Sequence, residues 1–145
     1  MAAGNGTLQV AKSVVDLLVR NSPRFNSIFS TFSVTHATKN KLTVDYEVLT
    51  SHTNDGNTLH GGFTASAFDF VTTVALLLDQ DDPRPGVSLN LSINYLKALK
   101  AGEKVTFEAE VLRRGRTIAY TVASLFNEKG ELAAHGTHIK HLGSR

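Results

Sequence analysis

The period of hydrophobic and polar positions changes several times along the chain, and each change marks an element. Val10, Val14, Leu17 and Leu18 fall on one face at helical spacing, which predicts a helix over Leu8–Arg20 that Pro23 stops. The preceding residues 1–7 are small and polar and are expected to be disordered. Alternation then takes over. Ile28, Ser30, Phe32 and Val34 predict a strand over Ile28–His36. Leu42, Val44, Tyr46 and Val48 predict a second after the turn at Lys39-Asn40, and the two form a hairpin.

Ser51 to Leu59 is polar and rich in turn formers. Gly62–Leu78 follows as the longest predicted helix, ending before Asp79-Gln80-Asp81-Asp82-Pro83 because acids oppose the dipole at a helix C-terminus. Beyond Pro85-Gly86 come four alternating runs: Val87 to Tyr95, Val105 to Val111, Ile118 to Val122 with Phe126, and Leu132 to Ile139. The order is helix, two strands, long helix, four strands. A helix that is apolar on most faces must be wrapped rather than laid on a surface. The expected fold class is therefore α+β: one domain over residues 8–143, an antiparallel sheet wrapped around a long central helix, with a short N-terminal helix.

One position breaks the apolar pattern of the central helix. Asp69, between Phe68 and Phe70, is the only ionisable residue from Gly61 to Leu78. Burying an unpaired carboxylate costs several kcal/mol or forces it to take up a proton. Asp69 is thus either a functional acid or a side chain that faces out of the core.

Composition narrows the chemistry. A chain of 145 residues with 41% hydrophobic content suits one domain with one core. The net charge is only +2, but the balance is uneven: residues 1–96 carry 6 basic and 8 acidic groups, residues 97–145 carry 9 and 5. A modest basic bias suits a phosphate-bearing small molecule better than a nucleic-acid duplex. The absence of cysteine excludes disulfides, thiolate zinc sites and cysteine nucleophiles. Six histidines show no metal-binding helix spacing. The longest apolar run, Val71 to Leu78, is too short to span a bilayer. With no secretory h-region, a cytoplasmic protein is expected. Residues 1–20, whose only acid is Asp16, keep a mitochondrial reading open.

The loop from His52-Thr53-Asn54 through Thr58-Leu59-His60-Gly61-Gly62, the helix acid Asp69, and Pro85-Gly86-Val87-Ser88 opening the next strand form a recognisable combination. It resembles hotdog-fold acyl-CoA thioesterases of the thioesterase superfamily member 2 type, over about Leu8 to Gly143. The resemblance implies a single hotdog domain with no metal and no organic cofactor. It implies homodimers, often paired into homotetramers, with active sites between subunits. Asn54, His60 and Gly61 would then lie on the carbonyl-binding side. Asp69 and Ser88 would lie on the water-activating side, contributed by the neighbouring subunit. The implied reaction is hydrolysis of fatty (medium to long chain) or aryl acyl-CoA thioesters to free acid and coenzyme A. The run Asp79-Gln80-Asp81-Asp82 is more acidic than the family pattern, and near an entrance it would repel such a substrate.

Thioester hydrolysis needs an activated water, a pocket for the developing oxyanion and room for a thiolate to leave. A carboxylate in an apolar setting is a stronger base, which suits Asp69 to the first task; direct attack by Asp69 is the competing role. Gly61 and Gly62 open a helix whose first N–H groups are unsatisfied and favour negative charge. Asp69 lies about 10 Å along the helix from Gly62, too far for both to grip one carbonyl, so two antiparallel helices of a two-fold dimer are needed. Asn54 either donates to the carbonyl or forms an Asx-turn. His60 holds the loop or polarises the thioester. Ser88 orients the water or is a plain strand serine. For the coenzyme A phosphates the candidates are Arg113, Arg114 and Arg116 at the Gly115 turn, with Lys140, His138 and His141 near the C-terminus. Two other functions stay open: a hotdog hydratase-dehydratase on enoyl or 3-hydroxyacyl thioesters, using His60 with Asp69, and a non-catalytic acyl-CoA binder.

Overall fold

The computed structural model describes residues 2–144. Helix α1 spans Ala2–Val15 and continues as one π-helical turn over Asp16–Arg20, where Asn21 N–H reaches back to Asp16 O. The helix thus takes in residues of the stretch 1–7 expected to be disordered; Met1 lies outside the described residues. Strands β1 (Ser33–Ala37) and β2 (Lys41–Glu47) form the expected hairpin. Helix α2 (Gly61–Leu77) precedes β3 (Val87–Tyr95), β4 (Lys104–Arg114), β5 (Ile118–Phe126) and β6 (Leu132–His141).

The first strand starts later than its alternation predicts. Phe25–Phe29 is a 3₁₀-helix, and only Ser33–Ala37 is extended. The reason is tertiary. The 3₁₀ turn puts Phe29 against Phe70 of α2, with ring centroids 4.7 Å apart, and brings it within 4.9 Å of Phe32. Phe32 in turn lies against Phe107 and Tyr46. These rings join Phe63 and Phe68 in one buried core, so an extended backbone over 25–29 would pull Phe29 out of it.

All six strands form one antiparallel sheet in the order β1-β2-β4-β5-β6-β3. The last two neighbours are far apart in sequence: β3 leaves the end of α2, crosses, and pairs with β6 at the sheet edge. The sheet covers α2 on most sides and buries Phe63, Ala67, Phe68, Phe70, Val71, Val74, Ala75 and Leu76. Close approach is made possible by Gly136 of β6, where a Cβ would stand 2.7 Å from Ser92 O and 3.0 Å from the Phe68 ring.

One stripe of α2 is left uncovered. Gly62, Ser66, Asp69 and Thr73, spaced by three and four residues, are among the less buried positions of the helix. The adjoining edge strand is exposed too, with Val87, Leu89 and Tyr95 each more than half accessible. Among the described residues no helix is long and apolar enough to cross a membrane.

Candidate active site

Asp69 sits on the uncovered stripe. Its side chain is 51% exposed, so the carboxylate faces out of the core, and this does not remove it as a functional acid. It looks into a surface depression of about 520 Å³. Leu18, Phe70, Leu77 and Val87 form the apolar walls, and Asp69, Thr73, Ser88 and Lys140 are polar groups on its lining.

Beneath the depression lies a chain of hydrogen bonds from three elements. Alternation along β6 turns His138 and Lys140 inward with Ala134 and Gly136, so both are buried, at 1% and 3% exposure. His138 Nδ1 lies 2.7 Å from Thr72 Oγ1, and Nε2 lies 2.7 Å from Ser88 Oγ. The proton positions follow from one constraint. Thr72 Oγ1 is also 2.7 Å from the Phe68 carbonyl, which only accepts, so the threonine proton points there. The Nδ1 contact must then be a histidine N–H donating to Thr72. In the neutral ring Nε2 is bare and accepts the Ser88 O–H. Burial pushes His138 below the usual histidine range, Lys140 pushes it the same way, and Asp69 opposes.

Lys140 Nζ donates to Thr73 Oγ1 and stands 4.0 Å from Asp69 Oδ1; His138 Nε2 is 3.9 Å from the same oxygen. Thr73 Oγ1 donates to Asp69 O at 2.7 Å. Burial lowers the proton affinity of Lys140, and Asp69 works against that lowering. This differs from the expectation that Lys140 and His138 meet coenzyme A phosphates. Both point inward toward α2, beside the helix acid.

His60 and Gly61 lie elsewhere, at the N-terminus of α2, and Asn54 sits in the loop that leads to it. His60 is the N-cap: its Nδ1 accepts from Gly62 N–H at 2.8 Å, which leaves the neutral ring with a free Nε2–H donor. Gly61 N–H has no acceptor among the described residues, and Gly61 O accepts from Tyr95 Oη at 2.6 Å. Asn54 forms the Asx-turn considered above, with Oδ1 accepting from Gly56 and Thr58 N–H and Nδ2 donating to Thr58 Oγ1. About 12 Å of helix separate Gly61 from Asp69.

The arginine cluster divides. Arg113 and Arg116 are exposed. Arg114 is largely buried and donates to Leu76 O and Asp82 O, which closes the C-terminal end of α2. Its charge meets Asp79 and Asp82, Arg84 grips Asp82 with two hydrogen bonds, and Lys39 pairs with Asp79 and Asp81. The acidic run is therefore neutralised internally and is not the repulsive entrance its sequence suggests. Phe63 and Phe68 of α2 belong to the core, whereas Phe70 also lines the depression.

A six-stranded antiparallel sheet wrapped around one long helix is the hotdog fold. A family model described as "Thioesterase superfamily" matches residues 56–134. Acyl-coenzyme A thioesterase 13 of Mus musculus is 37% identical over 84% of this chain and 87% of its own length. The Homo sapiens protein of the same name is 38% identical over 83% and 86%. Among solved structures, zebra fish thioesterase superfamily member 2 superposes with a TM-score of 0.89 at 38% identity, covering 94% of this chain and 98% of that one. The chain belongs to the thioesterase superfamily.

Proposed function

We propose that the protein hydrolyses acyl-CoA thioesters to the free acid and coenzyme A, with Asp69 as the base that activates water. The observation that carries this reading is the convergence of Asp69 and Ser88 on one depression, with Ser88 oriented by a buried histidine. Similarity to proteins named acyl-coenzyme A thioesterase 13 supports the substrate class. Water held between the Asp69 carboxylate and the Ser88 oxygen gives a proton to Asp69 as its oxygen bonds to the thioester carbon. The carbonyl oxygen becomes an oxyanion, held by Gly61 N–H with help from the Asn54 amide and the His60 Nε2–H. The intermediate then expels the coenzyme A thiolate, which takes the proton back from Asp69.

The donors and the base lie too far apart on one helix to share a carbonyl, so we infer that the donors come from the neighbouring subunit. Two features support a homodimer: the exposed edge strand β3, and the open Gly62–Ser66–Asp69–Thr73 stripe of α2, which a two-fold mate would cover. The same reading makes a homotetramer a dimer of such dimers. Fatty and aryl acyl groups both suit the apolar walls, and the exposed Arg113 and Arg116 remain the candidates for coenzyme A phosphates. Native mass spectrometry tests the assembly, and a monomer active at nanomolar concentration would sink it.

The deciding experiment is thiol release from a panel of acyl-CoA thioesters, wild type beside Asp69→Asn. The chain has no cysteine, so a thiol-reactive dye meets no protein background. The expected loss is roughly a hundredfold or more. Equal rates in the two proteins would remove Asp69 from the mechanism. His138 approaches Asp69 to 3.9 Å, the pairing a hydratase would use. Turnover of enoyl thioesters without thiol release would favour that reading.

A further inference from the structure

Behind Asp69, two groups able to carry positive charge face a single carboxylate. Lys140 and His138 are both buried, lie two residues apart on the same face of β6, and stand 4.0 and 3.9 Å from Asp69 Oδ1. One carboxylate balances one cation. A second buried cation beside the first would be left without a counter-charge, which is costly in a low-dielectric interior. Of the two, a lysine ordinarily holds its proton far more tightly than a histidine; burial weakens that hold here and Asp69 supports it.

The surroundings of the ring point the same way. From α2, Thr72 accepts from Nδ1 and Asp69 approaches Nε2. From β3, Ser88 meets Nε2. From β5, Thr121 Oγ1 donates to the His138 carbonyl, and β6 supplies Lys140. The charged side chains acting on the ring among the described residues are Asp69 and Lys140, of opposite sign. Burial disfavours the charged ring most, the ammonium adds to that and the carboxylate opposes both, so removing the ammonium leaves the pull of Asp69 less opposed.

We propose that Lys140 is a positioning residue that acts through His138: its positive charge, beside the same carboxylate, adds to burial in keeping the ring neutral, so that Nε2 accepts from Ser88 instead of donating toward Asp69. The assignment rests on Asp69 as the base, as argued above. With the ring neutral, the Ser88 proton is spent on Nε2, and the serine lone pairs face the depression to accept from water. The Asp69 oxygens then stay free for the second job, taking the water's proton. A charged ring reverses both. Its Nε2–H turns Ser88 into an acceptor and competes with water for Asp69. Lys140 thus sets the direction of a hydrogen-bond chain that runs Ser88 to His138 to Thr72 to the Phe68 carbonyl.

The test follows His138 and the rate separately. Proton NMR titration of the His138 ring, identified by its absence in His138→Gln, is recorded for wild type, Lys140→Met and Lys140→Arg. Hydrolysis is measured for the same proteins at pH 6 and pH 8. In Lys140→Met the ring is expected to titrate at higher pH, and the ratio of the rate at pH 8 to that at pH 6 to rise at least about threefold over wild type. Lys140→Arg keeps the charge and should keep the wild-type titration. An unmoved His138 titration in Lys140→Met overturns the proposal, as does a rate lowered equally at both pH values, the mark of a merely structural lysine. Should Lys140→Met fail to fold, nitrogen-15 shifts of the wild-type ring decide: a neutral Nδ1–H form at pH 7 is required, and a doubly protonated or Nε2–H ring excludes the proposal. Full hydrolysis by Asp69→Asn would instead refute the site assignment, an outcome read independently of the His138 titration.

Discussion

Ser88 Oγ and His138 Nε2 lie 2.7 Å apart although 50 residues separate them in the chain. The contact joins the edge strand β3 to its neighbour β6 at the point where both pass beneath Asp69. It makes the serine hydroxyl directional, and most functional expectations for this site follow from that.

Ser88 and His138 should behave as one unit. Ser88→Ala and His138→Gln are each expected to lower kcat/KM by roughly tenfold to a hundredfold, and the double variant to lose about as much as the worse single one. Steady-state kinetics on all four proteins completes the cycle. Losses that multiply would mean that the two side chains act separately.

Acid should weaken the fold through the buried imidazole of His138 and the half-buried one of His52. Burial holds both His138 and His52 below the usual histidine range. In each case the native state binds the proton less tightly than the unfolded chain. Their stabilisation is therefore complete above about pH 6.5, the unfolded value, and is lost as pH falls through the lower native values, at most about 1.4 kcal/mol per pH unit for the buried His138 and less for the more accessible His52. Urea denaturation from pH 8 to pH 5 reads this directly, and His138→Gln should flatten the slope.

Lys140→Met should raise stability while it harms catalysis. The ammonium is buried with Thr73 as its hydrogen-bond partner, and burial already weakens its hold on the proton. Replacing it with an apolar side chain of similar length is expected to add about 1 kcal/mol, because Asp69 is half exposed and tolerates the loss of its partner. A marked fall in the urea midpoint would show instead that the lysine anchors Thr73 and α2.

Gly136→Ala should destabilise the protein by about 2 kcal/mol. Gly136 is paired with Ile93 on one side and Ala123 on the other, and the added methyl would press on Ser92 O and the Phe68 ring. Neither backbone nor buried ring can give way freely. A thermal midpoint equal to wild type would mean that β3 shifts outward at little cost, and the edge strand would be looser than its pairing implies.

Local pattern carried most of the elements. The central helix, the hairpin and the four later strands lie where hydrophobic periodicity puts them, because each has an apolar face set by residues close in sequence. The strand start failed at Ile28, where the aromatic spacing of Phe25, Phe29 and Phe32 serves a ring cluster built on α2 and β4. Arg114 and Lys140 misled for a related reason. A basic residue near a turn or terminus reads as solvated, and nothing local announces that its partner is a carbonyl or carboxylate tens of residues away.

By itself the sequence determined the type and order of the elements, the singular position of Asp69 and the family the chain resembles. The first two depend on short-range periodicity and on the cost of a charge in an apolar segment, and the resemblance on the motifs from His52 to Gly62 and from Pro85 to Ser88 with Asp69 between them. Only the tertiary structure decided that β3 pairs with β6. That one long-range pairing brings Ser88, His138 and Lys140 together around the helix acid. Strand partners are chosen by the burial of whole faces across the sheet, a property of the assembled core that no window of residues contains.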